Sequence, residues 1–147
     1  MEDLIIRYAS LIDAGDLAAL ASLFADATFA TDITSVRGSV AVVEEQFRDL
    51  MITYADGTPR TKHVITNILV DVDEQAGTAA AQAYYTLLQA LPELPLQIIA
   101  AGRYRDRFAR RDGEWHFVER HLFFDLVGDL SRHPRIAAPV SGASDTA

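Results

Sequence analysis

The chain has 147 residues, half of them hydrophobic and 23% charged, which fits one globular domain with its own core and excludes a disordered polymer. With 13 Lys and Arg against 21 Asp and Glu, the formal net charge of -8 disfavours nucleic acid and anionic membranes as partners. The absence of cysteine excludes disulfides and thiolate metal or redox chemistry.

The N-terminal MEDLIIRYASLIDAGD carries acids where a secretory signal needs a basic start, and no apolar run approaches the roughly 20 residues of a membrane span. A cytoplasmic location is expected. Leu4, Tyr8, Leu11 and Ile12 recur at helical spacing over residues 2–14, Gly15 suits the end of that helix, and Asp16 can cap a second helix reaching Phe24. A short strand is expected at 27–30. A third helix is expected over 39–53, where Val40, Val43, Phe47, Leu50 and Met51 repeat; Asp56, Gly57 and Pro59 then supply turn chemistry.

Residues 63–72 read as a strand, with His63, Ile65, Asn67, Leu69 and Asp71 alternating onto one face. Over 78–91 the alanines favour helix and the two tyrosines favour strand, and pattern alone leaves both open. Segments 96–111 and 114–127 flank Asp112-Gly113, a strong hairpin signal, and should pair antiparallel. A domain over 1–133 is expected, with a flexible tail over 134–147, where small residues and Pro dominate. Helices followed by strands indicate an α+β domain in which an antiparallel sheet curls around the helices and leaves a concave cavity.

Among residues able to carry chemistry, His63 is the natural general base at neutral pH, and such a base works better when a carboxylate orients its second ring nitrogen. Asp13, beside the apolar stripe of the first helix, is the candidate partner; its plainer role is to cap or solvate a helix end, as that of His63 is a structural hydrogen bond. Tyr8 offers a phenolic proton donor or, equally, a core ring. Arg120 shares an alternating face with His116, Val118, Leu122 and Phe124, so it needs either a ligand or an internal carboxylate such as Asp106 or Asp125. The run GRYRDRFARR is read as a solvated or interface-lining face. No histidines have the spacing of a metal motif, so no metal is expected.

The segments YASLIDAGDLAALASLFADATF, TKHVITNILVDVD and AGRYRDRFARRDGEWHFVERHLFFDLVGDLSRH resemble the SnoaL-like branch of the nuclear transport factor 2-like superfamily over residues 1–133. The resemblance implies a cone-shaped α+β barrel: three N-terminal helices packed into a strongly bent antiparallel sheet that encloses a pocket. It also implies that 78–91 is a strand, that Asp13 and His63 meet in the pocket, and that chains associate through the sheet as homodimers or homotrimers. Within the branch the pattern is most similar to the bile-acid dehydratase, scytalone dehydratase and hexachlorocyclohexane dehydrochlorinase group. By that likeness Asp13 and His63 are the acid/base pair, with Asn67 completing an H-x-x-x-N strand, and Tyr8 and Arg120 complete the catalytic set. The dehydrochlorinase carries a lysine where this chain has Tyr8, which argues against dechlorination.

The resulting expectation is a cofactor-independent, dehydratase-like lyase. Its substrate would be an apolar, polycyclic small molecule held by Tyr84 or Tyr85, Leu88, Tyr104, Leu122 and Phe124. A ketosteroid-type isomerase, a non-catalytic binding protein and an oligomeric interaction protein with a filled core are the alternatives, because one fold serves many functions.

Overall fold

The structure is a computed structural model and describes residues 1–32 and 34–134. Helix α1 (Glu2–Ala14) buries Ile5, Tyr8, Ala9 and Ile12 along one face. It ends at Gly15, whose left-handed φ of 72° lets its N–H reach the Ile12 carbonyl. A Cβ there would stand 2.1 Å from the Gly57 carbonyl oxygen, so glycine also permits the close approach of the loop before β3. Helix α2 (Leu17–Leu23) starts at Asp16, whose side chain accepts from the Ala19 N–H as an N-cap. Helix α3 (Val40–Leu50) is capped by Ser39. It stops short of the expected Thr53 because Met51 turns extended and bridges to Pro134.

The strands are β1 (Thr28–Thr31), β2 (Ser35–Arg37), β3 (Thr61–Asp73), β4 (Thr78–Leu91), β5 (Leu94–Arg111) and β6 (Glu114–Val127). They form one strongly curled, unclosed sheet in the order β2-β1-β6-β5-β4-β3. The sheet is mixed, where an antiparallel one was expected, because β1 lies parallel to β6, with Thr28 opposite Glu119. Such a pair needs a long crossover, which α3 and the four intervening strands provide. Segment 78–91 is a strand: alternate residues from Ala79 to Leu91 are buried, so packing on the concave face overrides the helix propensity of its alanines. The β5–β6 turn uses Asp112 and Gly113, both at positive φ, as a primed hairpin turn requires.

Two bulges break the alternation assumed from sequence. In β3 the register slips between Thr66 and Leu69, with Asn67 at φ 54°. Beyond it, Ile68 and Val70 turn inward while Leu69 and Asp71 are exposed, so neither of the latter shares the face of His63. In β6 the slip falls between Phe117 and Glu119, and Phe117, not His116 or Val118, joins Arg120 on the buried face.

The concave face holds an aromatic core in which Tyr8 meets Phe24 edge-on at 5.9 Å and Tyr104 at 5.6 Å. After β6 the chain turns back across the open end. Leu130 is buried, the Ile52 N–H donates to the His133 carbonyl, and Pro134 pairs with Met51. Apart from Pro134, the expected tail lies outside the described residues. Among the described residues, no helix is long and apolar enough to cross a membrane.

Candidate active site

Asp13 occupies the last turn of α1, just before the Gly15 turn, and β3 begins beside it. The placement gives one carboxylate three donors. The Thr61 hydroxyl donates to Oδ1 at 2.9 Å, the His63 backbone N–H donates to Oδ2 at 2.8 Å, and His63 Nδ1 lies 2.6 Å from Oδ1. Asp13 caps no helix end. Burial alone would raise its pKa, but the hydrogen bonds from His63 and Thr61 and the attraction of His63 outweigh that cost, so it is held below the ordinary carboxylate value. An ionised Asp13 places the imidazole proton on Nδ1, leaving the Nε2 lone pair as the basic position.

The His63 side chain is nearly sealed, with 4% exposure against 10% for Asp13. Tyr8 stands edge-on to it, ring centroids 6.2 Å apart. Burial pushes the Tyr8 phenol up to about 12, with Arg120 opposing, so the hydroxyl keeps its proton at neutral pH. On its other side Tyr8 covers Arg120, whose guanidinium carbon is 4.4 Å from the Tyr8 centroid and 3.9 Å from that of Tyr104.

Arg120 is fully buried and forked onto Asp106, directly opposite it on β5, through bonds of 2.8 and 2.7 Å. Burial works against its charge, but the adjacent carboxylate prevails and raises its pKa above the ordinary arginine value. Of the two roles read for Arg120, the structure thus contains the internal ion pair, and the partner is Asp106; Asp125 instead binds Arg103 on the outer face. The alternating arginines 103, 105 and 107 lie opposite Tyr104, Asp106 and Phe108, which are buried.

The six expected pocket residues divide between the two faces. Tyr85, Tyr104 and Leu122 are buried on the concave face, and Phe124 meets Tyr85 edge-on at 6.4 Å. Tyr84, 51% exposed, and Leu88 belong to the opposite face, because β4 alternates without a break. That corrects their placement in the pocket. The Tyr85 hydroxyl donates to the Phe123 carbonyl and occupies the space above Gly102, where a Cβ would lie 2.6 Å from the phenolic oxygen. Asn67, expected beside His63, is an exposed bulge residue. Two open grooves of about 740 and 460 Å³ run along the far ends of β3, β4 and β5, and neither reaches His63.

Three residues went unassigned in the sequence. Thr61 shares the face of His63 by simple strand alternation, a signal that was available. Gln89, buried, donates to the Pro59 and Arg132 carbonyls and ties the loop before β3 to the C-terminal segment. His133 comes from that segment, and its ring lies 6.4 Å from that of His63. No local pattern marks either of the last two. Among the described residues, no three His, Asp or Glu side chains group as metal ligands.

Among solved structures, a protein of unknown function from Mycobacterium tuberculosis, Rv3472, is 25% identical over 97% of this chain and 78% of its own, with a TM-score of 0.70. A candidate scytalone dehydratase from Novosphingobium aromaticivorans is 22% identical, with coverage of 97% and 91% and a TM-score of 0.69. An NTF2-like protein with a cystatin-like fold from the same organism is 21% identical, with coverage of 88% and 82% and a TM-score of 0.69. No curated protein matches the chain. The sequence model of the SnoaL-like domain matches residues 1–121, most of the chain, and makes it a member of the SnoaL-like family, with a fold that these neighbours share.

Proposed function

We propose that this protein is a cofactor-independent lyase that eliminates water from an apolar hydroxy ketone. The observation that carries the reading is the 2.6 Å contact of Asp13 Oδ1 with His63 Nδ1, in a pair almost closed to solvent. In the reaction, His63 Nε2 removes the proton on the carbon between carbonyl and carbinol. The released electron pair forms the new carbon–carbon double bond as the carbon–oxygen bond breaks, and the departing hydroxide takes a proton to leave as water. Asp13 stabilises the imidazolium formed. Tyr8, protonated and beside His63, is the candidate donor to the leaving oxygen. Arg120 acts through Tyr8 and the local field, since Asp106 occupies two of its nitrogens. Tyr85, Tyr104, Leu122 and Phe124 suit a flat, apolar substrate, and the likeness to a candidate scytalone dehydratase supports a fused ring.

The test is a panel of hydroxytetralones and hydroxy-steroids followed for loss of water, with Asp13→Asn and His63→Ala beside the wild type. Loss of about 10²- to 10⁴-fold in turnover in both variants is the expected result. Equal turnover in all three proteins would sink the proposed roles. A double-bond shift without release of water would indicate the isomerase, which shares the first proton transfer. The burial of His63 also favours one rival, a binding protein in which the pair only positions a ligand; saturable binding without conversion would indicate it.

Self-association is part of the proposal. Val64, Thr86, Ala101 and Leu126 align across β3, β4, β5 and β6 on the outer face, next to the Leu88–Ile98 row, and Leu126 and Ile98 are largely exposed. Sedimentation should give a dimer or trimer, and Leu126→Arg a monomer.

A further inference from the structure

We infer that His133 is a second substrate-contacting imidazole of this site, a hydrogen-bond donor to the carbonyl oxygen of the ketone whose proton His63 removes. The inference deepens the lyase reading and rests on it. Removing a proton beside a carbonyl builds negative charge on the carbonyl oxygen, so a placed donor there is a major source of rate. Arg120, the sequence's candidate for that oxygen, is forked onto Asp106, and its one unpartnered nitrogen, Nη1, belongs to a guanidinium with no solvent exposure that the Tyr8 and Tyr104 rings cover. The oxygen needs another partner.

His133 meets the physical requirements. Its ring lies against that of His63, centroids 6.4 Å apart at 65°, while Tyr8 stands edge-on to His63 at 6.2 Å. Its Nδ1 is buried and has no hydrogen-bond partner, a costly arrangement for an idle side chain. The backbone beneath it is held from several sides. The His133 N–H donates to the Leu130 carbonyl at 3.1 Å and its own carbonyl accepts from Ile52 at 3.1 Å. The neighbouring Arg132 carbonyl accepts from both Gln89 and Tyr54. An imidazole on so anchored a segment is placed, not draped.

Its charge state suits the task. Burial, then repulsion by the His63 imidazolium, brings His133 down to about 4 against a partial pull from Asp13, so it is neutral at pH 7. A neutral imidazole donates one hydrogen bond without opposing the positive charge that His63 gains during proton transfer. A cation in that place would raise the barrier it should lower.

The test uses the full chain as wild type, His133→Phe, His133→Gln and His63→Ala, with hydroxytetralone as substrate and tetralone, which lacks the leaving group, as binding probe. Phenylalanine keeps the bulk and removes the donor, so tetralone Kd should rise about tenfold and kcat/KM for hydroxytetralone should fall at least as far. Glutamine restores a donor and should stay within about threefold of wild type in both. His63→Ala should bind tetralone normally and convert nothing. His133→Phe matching wild type while His63→Ala is inactive would overturn this inference alone, as would a glutamine variant as impaired as the phenylalanine one. A wild-type chain that neither binds nor converts the pair would overturn the inference together with the lyase reading. Should the phenylalanine variant fail to fold, nitrogen NMR of wild-type His133 decides. A shift of its ring signals on adding tetralone supports the contact, and unchanged signals overturn it.

Discussion

Asp106–Arg120 and Asp13–His63 both pair a carboxylate with a nitrogen base beside the Tyr8 ring, and they differ in what remains after pairing. The Asp106–Arg120 fork has no solvent exposure on either side chain, and its guanidinium cannot lose its charge at any physiological pH. It is a fixed source of field inside the core. The Asp13–His63 contact uses one ring nitrogen and leaves the other, which in a neutral imidazole can accept a proton. One constellation therefore serves to hold charge and the other to move a proton, and Tyr8 touches both. What the pair leaves over, a buried and permanently protonated Nη1 on Arg120 but a nitrogen able to take a proton on His63, separates scaffold from chemistry here more than burial does.

The contrast is open to direct attack, and the largest effect should come from the sealed pair. Asp106→Ala strands a buried guanidinium and should cost about 3–5 kcal/mol in urea unfolding, against about 1–3 kcal/mol for Asp13→Ala, where His63 can remain neutral. Equal costs would erase the distinction. The double variant Asp106→Leu with Arg120→Met should recover most of the loss, since buried ion pairs are often replaceable by apolar packing.

Next in size is acid sensitivity beside the Asp13–His63 pair, at His133. His133 has a folded pKa of about 4, below the ordinary 6.5, so below 6.5 the unfolded chain binds the proton and the folded chain does not. Stability present above pH 6.5 should therefore be lost progressively as pH falls toward 4, by about 3 kcal/mol in all. The lowered pKa of Asp13 adds a loss only below its ordinary 3.8. Urea midpoints across this range should flatten in His133→Phe; an unchanged slope would show that His133 is not the group responsible.

Tyr8→Phe removes the proton donor and keeps the ring over Arg120. Turnover of hydroxytetralone should drop by about 10²-fold with the unfolding midpoint nearly unchanged. A loss of stability without loss of rate would assign Tyr8 to the core. The smallest effect belongs to Thr61→Val, which deletes one bond to Asp13 and should cost about 1 kcal/mol in stability. A rate loss as large as that of Asp13→Asn would mean that the hydroxyl orients the carboxylate more than His63 does.

Much of the fold was legible where a local rule acts alone. Gly15 and Asp16 marked the turn between α1 and α2 and Asp112-Gly113 marked the hairpin, whereas the contact of Asp13 with His63, 50 residues apart, was implied only by the family resemblance. Legibility failed where period-two alternation was carried through a bulge. Leu69 and Asp71 were put on the wrong side of Asn67, and His116 and Val118 on the wrong side of the β6 slip. Tyr84 and Leu88 illustrate a different limit: alternation separates two faces, but an apolar residue on either one has the same sequence signature. Choosing Tyr85 over Tyr84 required the curl of the sheet.

The amino-acid order alone determined the α+β class, the cap and turn positions, and the residue types able to take a proton, because each depends on backbone preferences or side-chain chemistry expressed within a few residues. Tertiary structure alone decided that Arg120 is spent on Asp106, that β1 runs parallel to β6, and that His133 comes to rest against His63. Those outcomes depend on which distant segments the curled sheet brings within a hydrogen bond or a ring contact of one another, and sequence spacing carries no measure of that distance.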